Sequence, residues 1–317
     1  MITRQEAIGG YFELEMSHRG SYHSAALALN TGRNCLEYIL LARHYHRVYL
    51  PYYGCDVLLE PFNKLDIEYR FYHINKNLEL DDPIALSDGE ALLYINYFGL
   101  KQDYVVSLAE KCGERLIVDN TQAFYALPLS GIDTFYSCRK FFGVADGAYV
   151  YCDKRLDMEL EQDHSWDRMT HLLKRIDVST EAAYVDFCGH EEQLKGNPIM
   201  MMSPLTHRMM ASIDYQQVAS RRQENYNILD KALRDKNGIF LPLADDAVPM
   251  VYPFLTSDAG LRQRLIDHRI YVAQYWPNVL EWSSEDYDDY QLTKNLLPLP
   301  VDQRYDEEDM SSILALI

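Results

Sequence analysis

The sequence lacks several features that mark whole classes of protein. Its six cysteines show no CxxC spacing and no paired rhythm, and no His/Cys cluster has metal-ligand spacing, so neither a disulfide framework nor a zinc site is expected. The N-terminal stretch has no apolar core like that of a signal peptide, and no apolar run approaches the roughly 18 residues of a membrane span. We therefore expect a cytoplasmic protein with free thiols, no bound metal and no membrane partner.

Basic residues are also scarce. The 317 residues include 48 acidic side chains against 30 Lys and Arg, which gives a formal net charge of −18. A field of this sign repels a phosphate backbone, so nucleic acid is not an expected partner. A small phosphorylated ligand is not excluded, because a helix N-terminus can bind phosphate against the global charge.

The first half of the chain alternates between short strand-like runs and helical patterns. Runs rich in Tyr, Val and Ile predict strands at 47–51, 67–74, 91–97, 115–119, 133–137 and 147–152, and apolar residues three and four apart predict helices at 34–45 and 103–112. This alternation is typical of an α/β domain with a mostly parallel sheet flanked by helices.

The second half is organised differently. Residues 157–235 are predicted to be mostly helical, with Pro204 as a start signal, and a last helix is expected near Glu307. Between them, strand-like runs at 248–256 and 269–276 enclose a helical run at 261–268. We therefore predict a large domain over 1–205 and a smaller α+β domain over 206–317.

Three short segments hold the residues suited to chemistry. In RLIVDNTQ, Asp119 ends a predicted strand, where open α/β sheets bind ligands, and Gln122 follows it. In DTFYSCRKFFG, Lys140 lies between two strands beside Phe141 and Phe142, where desolvation could lower its pKa and free the amine as a nucleophile. Taken alone, the acid could be a turn or helix cap and the lysine a solvated surface group.

The third segment is LNTGRNCLEYIL. Thr31 is a candidate N-cap, and Gly32, Arg33 and Asn34 would then present free backbone N–H groups at a helix start, which is a general phosphate cradle. An ordinary capped helix remains the alternative.

The order of the three segments resembles that of the DegT/StrS-type aminotransferases, which use pyridoxal phosphate (PLP) and have fold type I. IVDNTQAFY and YSCRKFFGVADGAYV match the family's acid, Gln, Ser, Lys and glycine order, and INYFG, PLTHRMMASIDYQQVASRRQENY and LLPLPVDQRYDEEDM extend the similarity along the chain. Two departures are that only two residues separate Ser137 from Lys140, and that Ala148 replaces the second glycine of a usual pair.

The resemblance implies a role for each matching residue. Lys140 would form the Schiff base with PLP and shuttle a proton, and Asp119 would pair with the pyridinium nitrogen. Gln122 would lie near the phenolic oxygen of the ring, while Ser137 and the amides of Gly32, Arg33 and Asn34 would hold the phosphate. Tyr53, with Tyr52 as the alternative, falls where the family places a ring that stacks on the cofactor.

The expected activity follows from the same resemblance. The chain would transfer an amino group from an amino-acid donor, glutamate being the expected one, to a keto acceptor, expected to be a nucleotide-linked keto sugar. Another PLP reaction, such as a lyase or amino-acid transaminase, and a non-catalytic ligand-binding protein are the alternatives.

The resemblance also implies a homodimer with shared active sites. We expect the apolar run NPIMMMSPL (197–205) to lie at the interface, with Arg208 reaching an anionic substrate group. The alternative is that the run is a buried connector between the two domains.

Overall fold

A computed structural model describes residues 9–317, and a seven-stranded sheet forms its centre. The strands are β1 (Leu27–Leu29), β2 (Arg47–Pro51), β3 (Glu68–Tyr72), β4 (Glu90–Ile95), β5 (Leu116–Asp119), β6 (Asp133–Ser137) and β7 (Ala148–Tyr151). Their order in the sheet is β3-β2-β4-β5-β6-β7-β1. The pairs from β3 to β6 are parallel, whereas β7 pairs antiparallel with both β6 and β1. The expected mixed, mostly parallel sheet is confirmed.

The central strands are buried on both faces. Every residue of β4, β5 and β6 is buried, which explains why the sequence of these strands shows no alternation between apolar and polar residues. Helices connect the strands in this part of the chain: α1 (Gly32–Arg43), α2 (Leu59–Leu65) and α3 (Gln102–Cys112). Each parallel connection returns the chain to the same sheet edge, so the ends of β5 and β6 lie side by side.

The second half is mainly helical and carries a two-stranded antiparallel sheet. The helices are α4 (Thr170–Asp177), α5 (Thr180–Gln193), α6 (Pro204–Ala211), α7 (Tyr215–Leu233), α8 (Leu261–Asp267), α9 (Val279–Trp282), α10 (Asp288–Asn295) and α11 (Glu307–Leu314), and the strands are β8 (Val251–Leu255) and β9 (Leu296–Pro300). Pro204 is the first residue of α6, as predicted, and the Ser203 side chain caps that helix.

Two apolar cores hold the chain together. The larger surrounds the seven-stranded sheet and includes residues as late as Val279 and Leu296. The smaller lies around β8 and β9 and begins with Tyr226, in the middle of α7. The division at residue 205 stays a prediction. No helix among residues 9–317 combines the length and the apolar character needed to cross a membrane.

One predicted strand is wrong. Residues 269–276 form neither a helix nor a paired strand. The Arg262 guanidinium donates hydrogen bonds to the carbonyl oxygens of Val272 (3.0 Å) and Ala273 (2.7 Å). A side chain therefore satisfies carbonyls that would otherwise bond to a neighbouring strand. Val272 and Trp276 are nevertheless buried, which accounts for the apolar pattern.

The run at 197–205 is largely enclosed within its own chain. Met202 has no exposed surface, and its N–H donates to the Ala28 carbonyl (3.1 Å). Met200 accepts a hydrogen bond from the Asn30 N–H (2.9 Å). The segment thus lies beside β1 and fits the connector interpretation, while its place at a dimer interface stays a prediction.

Candidate active site

Three elements converge at the carboxyl-terminal edge of the large sheet. Asp119 ends β5, Ser137 ends β6, and Gly32 begins α1. A methyl group added to Gly32 would lie 3.3 Å from Thr121 Cγ2 and 3.9 Å from Ser137 Cβ. The helix start, the loop after Asp119 and the end of β6 are therefore in contact, as the predicted strand ends required.

Asp119 is a buried carboxylate at this edge. It is 3% exposed, and its Oδ1 accepts a hydrogen bond from the Thr121 N–H at 2.8 Å. Burial raises the pKa of Asp119 to about 6, against the lowering effects of Thr121 and of the Lys140 charge. No salt bridge reaches Asp119 from any residue in 9–317. A buried carboxylate with this environment would be stabilised by a bound cation.

Lys140 lies in a 3₁₀ turn, Cys138–Lys140, directly after β6. Solvent reaches its side chain, yet enough protein atoms crowd around the amine for desolvation to lower its pKa. The negative charges of Cys55 and Asp119 oppose that shift, and Arg139 and Arg33 reinforce it. The combination of access and a lowered pKa suits an amine that must act as a nucleophile.

The start of α1 has the predicted cap. The Thr31 side chain accepts a hydrogen bond from the Asn34 N–H at 3.2 Å. The Asn34 side chain is also engaged, because it donates to the Asn197 carbonyl at 2.9 Å. The N–H group and the side-chain amide of Asn34 therefore both have protein partners, and its role as a phosphate donor stays a prediction. The N–H groups of Gly32 and Arg33, together with the Ser137 hydroxyl, are the donors that remain.

Two neighbouring arginines lie beside the start of α1 and the Lys140 turn. Arg33 is held by Glu60, with Nη1 2.7 Å from Oε2, and Arg139 forms a salt bridge with Glu191. Desolvation first, and then the charge of Arg33, lowers the pKa of Arg139 to about 10. These neighbouring cations would be stabilised by an anion, which agrees with a phosphate at the helix start. The sequence offered no signal for the role of Arg139 beyond its position before Lys140.

Gln122 lies at the expected edge of the sheet, but its side-chain carbonyl oxygen already accepts a hydrogen bond from within the protein. Gln122 is 3% exposed, and its Oε1 accepts a hydrogen bond from the Phe98 N–H at 2.9 Å. Phe98 has φ 58°, so this bond holds a left-handed residue in the loop after β4. Only the amide nitrogen of Gln122 would be left for a ligand.

Tyr53 does not present a ring to the site. It has no exposed surface, and its ring contacts Tyr97 and Trp276, with centroids 5.5 Å and 5.1 Å away. The stacking role of Tyr53 stays a prediction that this packing does not favour, because core residues enclose the ring. The alternative, Tyr52, stacks on Phe71 and His73.

Cys55 was not predicted as a site residue. Burial raises the pKa of its thiol, and the charge of Lys140 lowers it. The mutual influence of these two groups places the thiol near the amine. Burial, and to a smaller extent the negative charge of Cys55, raises the pKa of the Tyr275 phenol to about 12, so Tyr275 belongs to the same region. Nothing in the sequence distinguished Cys55 from the other five cysteines.

One cluster of metal-ligating type occurs among residues 9–317. It consists of Asp133, Cys152 and Asp153. The Arg43 guanidinium lies 2.7 Å from Asp133 and 2.6 Å from Asp153, so an arginine already provides the positive charge that a metal would bring. A surface depression of about 590 Å³ is lined by residues 12–18 and Arg208, and it includes neither Lys140 nor Asp119.

By sequence alone, the chain matches no protein-family model and no curated protein. Its structure, however, is similar to that of the sugar aminotransferase CalS13 from Micromonospora echinospora, with a TM-score of 0.64, 16% identity, and 92% of this chain and 86% of that chain covered. The chain has the fold of these aminotransferases.

Two further solved structures agree. For Spr1654 from Streptococcus pneumoniae in its PLP form, assigned as a sugar aminotransferase, the TM-score is 0.63 at 14% identity, covering 92% of this chain and 85% of that chain. For a DegT DnrJ EryC1 StrS aminotransferase from Brucella abortus, the TM-score is 0.58 at 14% identity, covering 94% and 86%. At such identities the likeness establishes the fold, so the activity has to be argued from the site.

Proposed function

We propose that the chain is a PLP-dependent aminotransferase with Lys140 as the residue that carries the cofactor. The observation that carries this proposal is the pairing of an accessible amine of lowered pKa with a buried carboxylate that lacks a cationic partner. The two groups lie at the ends of the neighbouring parallel strands β6 and β5. The Lys140 amine requires an electrophile, and the Asp119 carboxylate requires a cation. A pyridine aldehyde with a protonated ring nitrogen supplies both.

The residues of the site fit the parts of this cofactor. Asp119 would face the pyridinium nitrogen, because the positive charge there offsets the desolvation of the carboxylate. The phosphate would lie at the start of α1, held by the Gly32 and Arg33 N–H groups and the Ser137 hydroxyl. The absence of a side chain on Gly32 leaves room there, since an added methyl group would already contact Thr121 at 3.3 Å.

Lys140 would have two tasks. When bound, the cofactor supplies an aldehyde for amino groups and a ring that accepts electrons. The Lys140 amine would hold that aldehyde, and when it is free the same amine would serve as a base. Its lowered pKa keeps Nζ unprotonated over a wider pH range, so it can take a proton from the substrate carbon and return it to another atom.

We further propose a keto sugar, linked to a nucleotide, as the amino acceptor and glutamate as the donor. Sugar aminotransferases such as CalS13 share the fold across 92% of this chain, which supports this acceptor class. A panel of donors and acceptors with product analysis tests it. Amino-acid products alone would favour the transaminase alternative, and loss of carbon dioxide or an elimination product would favour a lyase.

We also propose a cytoplasmic homodimer that uses small-molecule substrates. The support now comes from a different surface than NPIMMMSPL. The hairpin of α4 and α5 exposes large apolar side chains, namely Leu173 (56%), Ile176 (83%), Val178 (66%), Tyr184 (63%) and Val185 (78%). Such a patch is costly in water and is typical of an interface. The expected contact of Arg208 with substrate stays a prediction, since in this chain its guanidinium pairs with Glu13.

Trapping of the cofactor tests the central assignment. Purified protein mixed with pyridoxal phosphate should gain absorbance near about 400 nm, and borohydride should then fix a pyridoxyl group on the peptide that contains Lys140. Lys140→Ala should abolish the absorbance and the turnover. The matched control is Lys195→Ala, whose amine pairs with Glu192 on the surface. A label on another lysine, or no absorbance at all, would contradict the proposal and leave the ligand-binding alternative.

A further inference from the structure

Arg222, in α7, is an arginine enclosed in the protein. It is 1% exposed, and its guanidinium has no carboxylate within hydrogen-bonding distance among the described residues. Its Nη1 donates to the carbonyl oxygens of Pro249 and Met250, both at 3.1 Å. Burying a cation costs free energy unless its N–H donors are satisfied. The carbonyl contacts of Arg222 satisfy them, and no apolar residue at this position could bind these carbonyl oxygens.

The same guanidinium also contacts the residue that follows Lys140. Its Nη2 donates to the Phe141 carbonyl at 3.4 Å, and its central carbon lies 4.4 Å from the centre of the Phe141 ring. Gln303 completes the arrangement, because its Nε2 donates to the same carbonyl at 2.8 Å and its Oε1 accepts from Arg222 Nε at 3.0 Å. Two side chains from the C-terminal part therefore fix the peptide that leaves the Lys140 turn.

The contacts of Arg222 continue to the other end of the site. Met250, whose carbonyl Arg222 binds, donates its own N–H to the Phe98 carbonyl at 2.8 Å. The Phe98 N–H in turn donates to Gln122 Oε1 at 2.9 Å. An unbroken series of hydrogen bonds thus runs from Phe141, through Arg222 and Met250, to Gln122. It joins the two loops that follow β5 and β6.

We propose that Arg222 is a positioning residue that holds the Lys140 turn at a fixed place relative to the rest of the site. It does not touch a reacting atom, and it acts through the carbonyl and the ring of Phe141. Without it, the Phe141 carbonyl would keep only its bond to Gln303 (2.8 Å), and the Gln303 side chain would itself lose its bond to Arg222. Within the turn, the Cys138 carbonyl accepts from the Phe141 N–H (3.1 Å) and the Phe142 N–H (2.9 Å), so the turn would be less firmly held. The importance of this placement for catalysis rests on the proposed function, whereas the mechanical role does not.

Hydrogen–deuterium exchange of the purified full chain tests the mechanical role. In Arg222→Gln, we expect the amides of 138–144 to exchange about tenfold faster, the size of effect that the loss of hydrogen bonds from a charged donor produces. The β5 amides, Leu116–Asp119, should be unchanged, because β4 and β6 pair with that strand. Arg221→Gln is the control, since the Arg221 side chain is only partly exposed (41%) and pairs with Glu224 at 3.3 Å, away from Phe141.

Two more variants make the result decisive. Arg222→Lys keeps the charge and should restore part of the protection, because an ammonium group can still donate to a carbonyl. Gln303→Leu removes the 2.8 Å bond to Phe141 while leaving Arg222 in place, so it should also raise exchange in 138–144, and it decides the question if Arg222→Gln does not fold. Unchanged exchange in 138–144, or an equal increase over the whole chain, would overturn the proposal.

Kinetics provide the functional readout. In an active enzyme, Arg222→Gln should lower kcat by about tenfold with KM nearly unchanged, because the displaced amine affects the chemical steps more than substrate binding. If the wild-type chain shows no aminotransferase activity, the exchange data still report on Arg222. A failure of the proposed function is thereby distinguished from a failure of the positioning role.

Discussion

Asp119→Asn is expected to make the cofactor-free protein more stable, although it removes the carboxylate that would face the pyridinium nitrogen of the cofactor. In the folded chain burial raises the pKa of Asp119 from 3.8 to about 6. The unfolded chain therefore loses the Asp119 proton at lower pH than the folded chain does. As the pH rises from about 4 to 6, the folded state binds more protons than the unfolded state, and the free energy of unfolding falls.

The size of the effect follows from the shift. A difference of about 2 pKa units, at about 1.36 kcal/mol each, corresponds to about 3 kcal/mol of lost stability above pH 7. At pH 5 the loss is about half as large, because the folded carboxylate is then still mostly protonated. Asparagine has no charge to desolvate, and its carbonyl oxygen can still accept from the Thr121 N–H. The stability gained by the variant should therefore grow between pH 5 and pH 8.

Urea unfolding of both proteins without cofactor, at several pH values, measures this gain. Asp133→Asn provides the contrast, because Asp133 is equally buried but lies 2.7 Å from Arg43 Nε. Breaking that buried pair should cost about 3 kcal/mol. The reasoning would be refuted if Asp119→Asn were less stable than wild type at every pH from 5 to 8. That result would mean that Asp119 already has a partner in the free protein.

Three other predictions concern the turn after β6 and the state of assembly. Gly147→Ala should lower the free energy of unfolding by on the order of 2 kcal/mol, because Gly147 has φ 108° and a methyl group there would lie 2.8 Å from Thr206 Cγ2. Gly143→Ala is the control, since its methyl group would meet only Leu172, at 3.8 Å. Equal urea midpoints for the two variants would contradict the explanation. The acetylation rate of Lys140 in cofactor-free protein, followed by peptide mass spectrometry as the pH is raised, should reach half its maximum at a pH below the ordinary lysine pKa of about 10.4, because desolvation favours the neutral amine. A midpoint at the ordinary lysine pKa would contradict the desolvation of this amine. Light scattering should give about twice the 36.9 kDa chain mass. Replacing Ile176 and Val185 by serine should shift the protein toward monomer. A wild-type monomer with full activity would rule out active sites shared between two chains.

Most of the sheet could be predicted from the sequence because its strands are short and rich in aliphatic and aromatic residues, and because α1 and α3, which follow β1 and β4, carry apolar residues three and four apart. The predicted bounds of β2 and β6 agree with the observed Arg47–Pro51 and Asp133–Ser137. β1 could not be found, because Leu27–Leu29 has only three residues and is recognisable as a strand only through its pairing with β7. The wrong strand at 269–276 failed for a similar reason, since Arg262 and not a neighbouring strand binds its carbonyls.

The site could be predicted only in part. Asp119 and Ser137 end neighbouring strands and Lys140 follows the second of them, so local sequence was enough to bring them together. Tyr53 could not be placed, because two adjacent aromatic residues look alike in sequence while only the packing of Tyr97 and Trp276 shows which one is enclosed. Arg222 is more remote still. Its contact with Phe141 joins residues 81 positions apart, which no local pattern records.

The hydrogen bonds between the end of β1 and later parts of the chain affect the order in which the protein can fold during translation. Asn30, just before α1, donates to the Met200 carbonyl at 2.9 Å and accepts from the Gly147 N–H at 2.6 Å. A nascent chain must therefore emerge beyond residue 200 before the segment that leads into α1 finds its partners. Contacts over 170 positions form slowly because a long loop has to close first. The ends of β5 and β6 can pair much earlier, so a ribosome-bound chain would complete the carboxylate side of the site before the phosphate side.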